Sequence, residues 1–283
     1  MRFFLGGLGN WFENLARIEM AIAEADALGF DGTLLPDHYM WGEMRGHVPR
    51  GGNATLETWV TLSYLAAKTE RIRLGTLVTP IPFRPPGMLA KMLSTLDVLS
   101  NGRVVLGVGA GWSQLEFEGY SEWDEPKVRV DKTEEGLELM IKLWTQDEVT
   151  FKGRYYEAKA AVLEPKPVQE PYPQLLFGGR GDRMLRLAGR YADICYIMTM
   201  GGESYEEGKT KVMRAAERAN RADKVAFMAG AMGAREPYDS KTYSKKVEVA
   251  SETGASYYLT TFRSDGIIDS IRRFAEDVMP SFK

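Results

Sequence analysis

The stretch that decides the fold lies at residues 72–112 and reads IRLGTLVTPIPFRPPGMLAKMLSTLDVLSNGRVVLGVGAGW. Two short apolar runs, 72–78 and 104–108, flank a segment whose apolar residues recur three and four positions apart. The runs are typical of buried strands, and the spacing between them is typical of an amphipathic helix at 86–99. A strand, a helix and a second strand in this order predict one unit of a parallel α/β fold.

The same unit recurs along the chain. We expect strands at 2–8, 30–36, 72–78, 104–108, 174–177, 193–198, 224–232 and 256–261. We expect helices at 12–28, 54–68, 86–99, 128–144, 182–191, 204–221, 239–253 and 265–278. Eight strand-helix pairs predict a closed (β/α)8 TIM barrel, because an open parallel sheet would leave two exposed edges. We therefore expect one α/β domain over residues 1–283.

Two stretches interrupt this rhythm. Residues 37–53 form a long loop after the second strand, and residues 145–173 follow the fourth helix. The second stretch contains TFKGRYYEAKAAV, which predicts a β-hairpin with a turn at Lys152 and Gly153, and then the proline-rich run EPKPVQEPYP. Both are interpreted as insertions on the barrel.

Composition excludes several classes of partner. With 44% hydrophobic residues among 283 the chain can bury a core, and a net charge of -3 gives no electrostatic reason to bind nucleic acid or anionic membrane. Cys195 is the single cysteine and cannot form an internal disulfide. No run approaches the roughly 20 apolar residues of a membrane span, and the first residues do not resemble a secretory signal. We expect a cytoplasmic enzyme that acts on a small molecule.

The active face of such a barrel lies at the carboxyl ends of its strands. No lysine lies at a predicted strand end, which argues against a Schiff-base aldolase. Among the metal ligands there, Asp37 and His38 fall short of the roughly three that a catalytic metal needs, so we expect no metal. The remaining Gly, Met, Thr and aromatic residues suit a flat organic cofactor with an anionic tail.

Two glycine clusters are candidates for binding that tail. In FGGRGDRMLRLAGRYAD, Gly178, Gly179, Arg180 and Gly181 connect a strand directly to a helix, which is the arrangement of a phosphate-binding N-terminus. An ordinary glycine-rich turn is the alternative. The second cluster, VVLGVGAGW, lacks the continuation of a dinucleotide-binding fingerprint, so a Rossmann fold is not expected.

Four segments together resemble the luciferase-like flavin and deazaflavin monooxygenase and reductase superfamily. They are GFDGTLLPDHYMWG, the stretch 72–112 quoted above, PQLLFGGRGDRMLRLAGRYAD and RRFAEDVMPSF. The resemblance covers nearly the whole chain. The Asp-His pair after the second strand is similar to the branch that uses coenzyme F420, a deazaflavin, in place of FMN.

The resemblance implies a role for each matching residue. A cis peptide bond is implied at Leu77-Val78, behind the cofactor ring. Asp37 and His38 would lie beside the ring, with His38 as the catalytic residue that handles a proton or polarises the substrate. Backbone groups of Gly109, Ala110 and Gly111 would contact the ring edge or ribityl chain, and Gly178 and Gly179 would bind the phosphate.

The activity implied is hydride transfer between coenzyme F420 and a small organic substrate, in a homodimer formed through the second and third helices. An FMN-dependent monooxygenase and a non-catalytic flavin-binding relative are the alternatives. A sugar-phosphate isomerase would need paired carboxylates, and no suitable Glu is found at a strand end. In the similar sugar-phosphate dehydrogenases an acid follows the Gly-x-Gly of the fourth strand, but this chain has Trp112. Glucose 6-phosphate is therefore not the expected substrate, and Trp112 is interpreted as an apolar wall.

Several residues have a simpler interpretation. His38 could be a strand-end histidine bonded to backbone, and Asp37 could brace its loop through Arg45 or backbone amides. Methionines would fill gaps in the barrel, and His47 would be solvated. The acidic run would be a solvated surface segment. These methionines are Met198, Met200 and Met232, and the acidic residues are Glu116, Glu118, Glu122, Asp124 and Glu125.

Overall fold

The computed structural model of the chain describes residues 1–9, 15–40, 55–199 and 204–283. Its strands are β1 (Arg2–Gly6), β2 (Gly32–Leu35), β3 (Arg73–Thr76), β4 (Thr79–Pro80), β5 (Val104–Gly109), β6 (Val149–Lys152), β7 (Glu157–Ala161), β8 (Gln174–Gly179), β9 (Ile194–Ile197), β10 (Ala226–Gly230) and β11 (Tyr257–Thr261). Parallel pairing runs from β1 through β2, β3, β5, β8, β9, β10 and β11 and returns to β1. The expected (β/α)8 barrel is confirmed.

The helices surround this barrel. They are α1 (Leu15–Ala27), α2 (Thr58–Ala66), α3 (Pro86–Leu99), α4 (Gln114–Tyr120), α5 (Pro126–Thr145), α6 (Asp182–Tyr191), α7 (Tyr205–Arg218), α8 (Ser240–Glu252) and α9 (Ile267–Asp277). Single turns of 3-10 helix occur at Ile81–Phe83 and Met279–Ser281. Helices α3 and α6 have the expected limits, and the other expected helices differ at their ends. Residues 12–14 and residue 54, where two helices were expected to begin, lie outside the described residues. The short helix α4 was not expected. None of the described helices is both long and apolar enough to cross a bilayer.

Alternation along the strands creates two layers of core. On β1, Phe4 belongs to the cluster inside the barrel, whereas Phe3 belongs to the layer between the barrel and the helices. Phe3 meets Phe274 of α9 edge-on, with 5.3 Å between ring centroids. Each such fully buried side chain contributes about 1.5–3 kcal/mol. Other interior residues are Leu34, Val105, Leu176, Ile194, Met228 and Leu259.

The insertion at 145–173 carries the expected hairpin, but the turn is not at Lys152 and Gly153: Lys152 belongs to β6 and pairs with Glu157, and the turn covers 153–156. Strands β6 and β7 pair antiparallel, with Phe151 opposite Ala158 and an irregularity after Val149. The insertion predicted at 37–53 is described up to Met40, and its remainder lies outside the described residues.

The approach of β5 to β3 requires a glycine. A Cβ atom on Gly107 would lie 1.9 Å from the backbone oxygen of Thr76, a contact that rotation of a side chain cannot relieve. At the same contact between the two strands, the hydroxyl oxygen of Thr76 accepts a hydrogen bond from the Gly107 amide, at 3.2 Å. The packing of β5 against β3 therefore requires a glycine at position 107.

We expect Gly107→Ala to lower the free energy of unfolding by about 1–3 kcal/mol or more, because the added methyl group overpacks the strand seam. Gly87→Ala is the matched control. Its Cβ would make an ordinary 3.8 Å contact with Leu143, so stability should stay unchanged or rise by about 0.4–1 kcal/mol. Urea unfolding of both variants measures this, and equal stability of the two would contradict the packing argument.

Candidate active site

The candidate residues meet at the carboxyl end of the barrel. His38 follows β2, the Leu77-Val78 peptide follows β3, and Trp112 follows β5. Gly178 and Gly179 end β8, and Met198 follows β9. Met200, Arg45 and His47 lie outside the described residues.

His38 is bound to a buried carboxylate. Its Nδ1 lies 2.7 Å from Oε2 of Glu116 on α4, and the glutamate side chain is only 1% exposed. The other oxygen, Oε1, accepts the backbone amides of Tyr39 at 2.8 Å and Met40 at 3.3 Å. The expectation that Glu116 belongs to a solvated acidic segment is therefore wrong. Its neighbours Glu118, Glu122 and Glu125 are exposed, as expected. Asp124 is half-buried and binds Lys132 at 2.5 Å, so the expectation is wrong for it as well.

Glu116 is held in its ionised form. Burial by itself would raise its pKa, but the hydrogen bond and charge of His38, with further bonds from Met40 and Ser113, bring the pKa below its ordinary value. An ionised carboxylate can only accept hydrogen bonds, so Nδ1 of His38 carries the hydrogen. In the neutral ring Nε2 is then the acceptor. Glu116 thus selects the nitrogen of His38 that can take up a proton.

Asp37 forms a second buried ion pair. Arg84 donates to both of its carboxylate oxygens, at 2.7 and 2.9 Å, and the hydroxyl of Thr79 donates to Oδ2 at 2.8 Å. Arg84 also binds Glu57 and lies over the ring of Tyr39, 5.0 Å from its centroid. Burial would lower the pKa of Arg84, but Asp37 raises it overall. Asp37 thus braces its loop, but its partner is Arg84, which the sequence did not suggest; Arg45 lies outside the described residues.

The peptide bond between Leu77 and Val78 is cis, as the resemblance implies. Two expected cofactor contacts pack against it. A Cβ atom on Gly109 would lie 2.3 Å from Val78 Cγ2, and one on Gly178 would lie 2.8 Å from Val78 Cγ1. These two glycines are therefore required by the Val78 side chain. Ala110 is half-buried, and Gly111 has a φ of +77° with Phe117 close to its Cβ direction.

The turn between β8 and α6 is open toward solvent. A Cβ atom on Gly181 would meet no described atom within 4 Å, and one on Gly179 would make an ordinary 3.5 Å contact with Met184. Gly181 precedes the first residue of α6, whose first amides have no partner within the helix. Asp182 at that position binds Lys211 at 2.6 Å, which compensates its negative charge. The turn has the form of an anion-binding N-terminus.

Apolar side chains rim the mouth next to His38. Trp112 is 58% exposed and meets the His38 ring at an angle of 69°, with 5.7 Å between centroids. Leu115 and Tyr120 of α4 are also exposed. Met198 packs on the interior cluster as expected, but Met232 is 41% exposed and the packing expected of it is wrong.

Sequence reasoning missed Glu116 as the partner of His38. Ser113 and Glu116 have the Ser-x-x-Glu spacing typical of a helix start, which is a signal for α4. That spacing does not reveal that the acid faces the barrel mouth. A suitable Glu therefore does reach the mouth, from the first turn of α4, and it binds a histidine instead of forming a carboxylate pair.

Comparison with known proteins agrees with this geometry. The model of the family described as luciferase-like monooxygenase matches residues 5–236. The chain belongs to the luciferase-like monooxygenase family. The resemblance drawn from the sequence is confirmed.

Proteins that are named for different cofactors are similar to this chain. An F420-dependent glucose-6-phosphate dehydrogenase of Microbacterium testaceum is 38% identical over 179 residues, 62% of this chain and 50% of that enzyme. The chain spans about half the length of the curated relatives it matches. An F420-dependent secondary alcohol dehydrogenase in complex with an F420-acetone adduct superposes with a TM-score of 0.82 at 21% identity, over 100% of this chain and 99% of that one. A type II Baeyer-Villiger monooxygenase from Pseudomonas putida, in complex with FMN, has a TM-score of 0.75 at 15% identity, over 100% and 98%.

We expect Glu116→Gln to lower the free energy of unfolding by about 1–3 kcal/mol at pH 7, since the buried bonds to an ionised acceptor are weakened. Because the pKa of Glu116 is lower in the folded protein, its stabilisation is complete above the ordinary value of 4.5 and is lost as pH falls through the folded pKa. The difference between wild type and variant should therefore shrink below about pH 4.5.

Urea unfolding at pH 7 and at low pH measures this difference. Glu118→Gln, on the exposed side of the same helix, is the control and should have little effect at either pH. A stability difference for Glu116→Gln that does not depend on pH would contradict the ionised assignment.

Proposed function

We propose that the protein is a coenzyme F420-dependent oxidoreductase that transfers a hydride between this cofactor and a small organic substrate. The observation that carries the proposal is the His38-Glu116 pair at the barrel mouth, which presents an oriented proton acceptor beside an apolar wall. The dehydrogenases that match this chain are named for F420, which supports the choice of cofactor. The sequence predicts a cytoplasmic location for this activity.

The residues present fit such a cofactor. The turn Gly178–Gly179–Arg180–Gly181 would hold its phosphate, because space is open at Gly181 and the first amides of α6 face that turn. The Leu77-Val78 segment, with Gly109 to Gly111 beside it, would contact the ring. Bound coenzyme F420 would supply the hydride chemistry.

His38 then moves the proton. In oxidation of an alcohol the neutral Nε2 takes up the hydroxyl proton as the substrate C–H bond breaks, and Glu116 keeps the ring orientation through Nδ1. In the reverse direction the same nitrogen returns the proton to the carbonyl oxygen. Asp37 has both carboxylate oxygens bound to Arg84 or Thr79, so it acts by fixing the backbone next to His38.

We propose a substrate with an apolar body. Trp112, which is 58% exposed, lies beside His38. Aromatic surface at that point favours a flat or aliphatic substrate over a sugar phosphate, because desolvating sugar hydroxyls against an indole leaves them without partners.

We expect His38→Ala to lower kcat for F420 reduction by about 10²–10⁴-fold while the Kd for F420 changes far less, since the proton acceptor is lost and the phosphate site is retained. Propan-2-ol and glucose 6-phosphate are the hydride donors to compare, with F420 absorbance as the readout. Glu118→Gln is the control on the same face of the molecule and should retain full activity.

Fluorescence titration of the purified protein with F420 and with FMN tests the cofactor itself. Tight binding of FMN with no response to F420 would point to an FMN-dependent monooxygenase instead. Turnover that survives unchanged in His38→Ala would remove the assigned role of this residue, and binding without any turnover would fit a non-catalytic relative.

We further propose a homodimer formed through α2 and α3. Val60 and Tyr64 lie one turn apart on the outer face of α2 and are 65% and 40% exposed. Met88 and Leu99 on α3 are 59% and 72% exposed. Large apolar side chains at such exposures are typical of a surface covered by a partner.

We expect Val60→Glu to convert the dimer to a monomer, because a charge on the buried interface is left without a partner. Val249→Glu is the matched control, since Val249 is 45% exposed on α8, away from this face. Light scattering after size-exclusion chromatography reports the mass of both variants. A wild-type monomer, or a Val60→Glu dimer of unchanged stability, would refute the interface.

A further inference from the structure

A cavity lies at the opposite end of the barrel from His38. It has a volume of about 490 Å³ and is formed where strands begin, by Arg2 and Tyr257 at the starts of β1 and β11, by Asp31 before β2, and by Arg71 and Arg73 at the start of β3. This volume falls within the range of small-molecule sites, about 300–1,000 Å³. The apolar cluster inside the barrel, which includes Phe4 and against which Val78 packs, separates this cavity from the mouth.

Three guanidinium groups line this cavity, and each is bonded to neutral partners. Arg2 donates to the hydroxyl of Tyr257 at 2.8 Å and lies over its ring. Arg71 donates to the backbone oxygen of Asp26 at 2.8 Å. Arg73 donates to the side-chain oxygens of Gln169 at 3.2 Å and Gln174 at 3.3 Å. In the described part of the chain, none of the three forms an ion pair with a carboxylate.

The acid in the lining does not cancel this charge. Oδ2 of Asp31 accepts a hydrogen bond from the backbone amide of Phe3, at 2.8 Å, so this oxygen stabilises the start of β1. Three positive groups and one negative group leave a net charge of about +2 around the cavity, and the like charges repel one another. Two buried arginines elsewhere have their donors taken up by close partners: Arg84 pairs with Asp37, and Arg103 donates to five neighbouring oxygens. An unpaired cluster around a cavity is the arrangement of an oxyanion site.

We propose that this cavity binds a phosphate-bearing small molecule. The arginines supply forked donors that match phosphate oxygens, and Phe4 and Tyr257 supply an aromatic floor for an uncharged part. The site is distinct from the one in the barrel mouth, and its occupancy does not depend on the redox activity proposed there.

Isothermal titration of the full chain with inorganic pyrophosphate and with AMP tests the proposal. The two probes distinguish an inorganic phosphate ligand from an organic one, and either is expected to bind. In Arg71→Gln/Arg73→Gln the Kd should rise at least tenfold. Arg214→Gln, which removes one of the same charges from an exposed position on α7, should leave the Kd unchanged.

Thermal unfolding verifies that the double variant is folded. If it is not, Arg2→Gln is the substitute, because the hydrogen bond and the ring contact given for its side chain are both with Tyr257. Absence of binding, or binding that persists in these variants and is lost in Arg180→Gln at the mouth, would overturn the proposal.

Discussion

A buried carboxylate must be satisfied by hydrogen bonds, and the mouth of this barrel is organised by that requirement at Glu116. The side chain accepts from the ring of His38 and from the two backbone amides that follow it. Glu116 and His38 are 78 residues apart in sequence, so this carboxylate connects helix α4 to the segment after β2. Asp37, one residue before His38, connects this segment to the one after β4, because both of its carboxylate oxygens accept hydrogen bonds from Arg84. His38 therefore lies between two ionic anchors that fix its backbone and its ring separately.

Fixing the ring has a chemical consequence that fixing the backbone alone would not have. A strand-end histidine bonded to a backbone carbonyl would also have a defined tautomer, but its partner would be neutral. Here the partner is an anion that is almost fully excluded from water, so its interaction with the ring is little screened. The ring of Trp112 also contacts the His38 ring, with 5.7 Å between their centroids. Together these contacts limit the directions from which a substrate can approach, and they connect the fold of α4 directly to the proposed proton transfer.

The barrel could be predicted because its signal is repeated: eight apolar runs alternate with helical spacing, and errors at single ends do not alter the pattern. Asp37, His38 and Trp112 could be located because they follow strands directly. The partners of these residues could not, since Arg84 and Glu116 are brought to them by closure of the barrel. Glu116 illustrates the reason most clearly. It lies in a run of acids of which Glu118, Glu122 and Glu125 are exposed, and its burial depends on a contact that composition and periodicity do not encode. The arginines at the opposite end were missed for the same reason: Arg73 adjoins Gly32 through strand register.

The glycines show how two physical causes produce one sequence pattern. Gly109 and Gly178 would each bring a Cβ atom into the side chain of Val78, so packing alone demands that they lack one. Gly181 is different, because a Cβ there would enter open space among the described atoms. Packing does not explain that glycine, and the amides of α6 next to it provide a reason of another kind. In the run Gly-Gly-Arg-Gly, the first glycine is therefore explained by packing inside the barrel, and the last by the proposed binding of phosphate. A ligand-binding glycine is recognised by the space around it, which becomes visible when the neighbouring strands are in place.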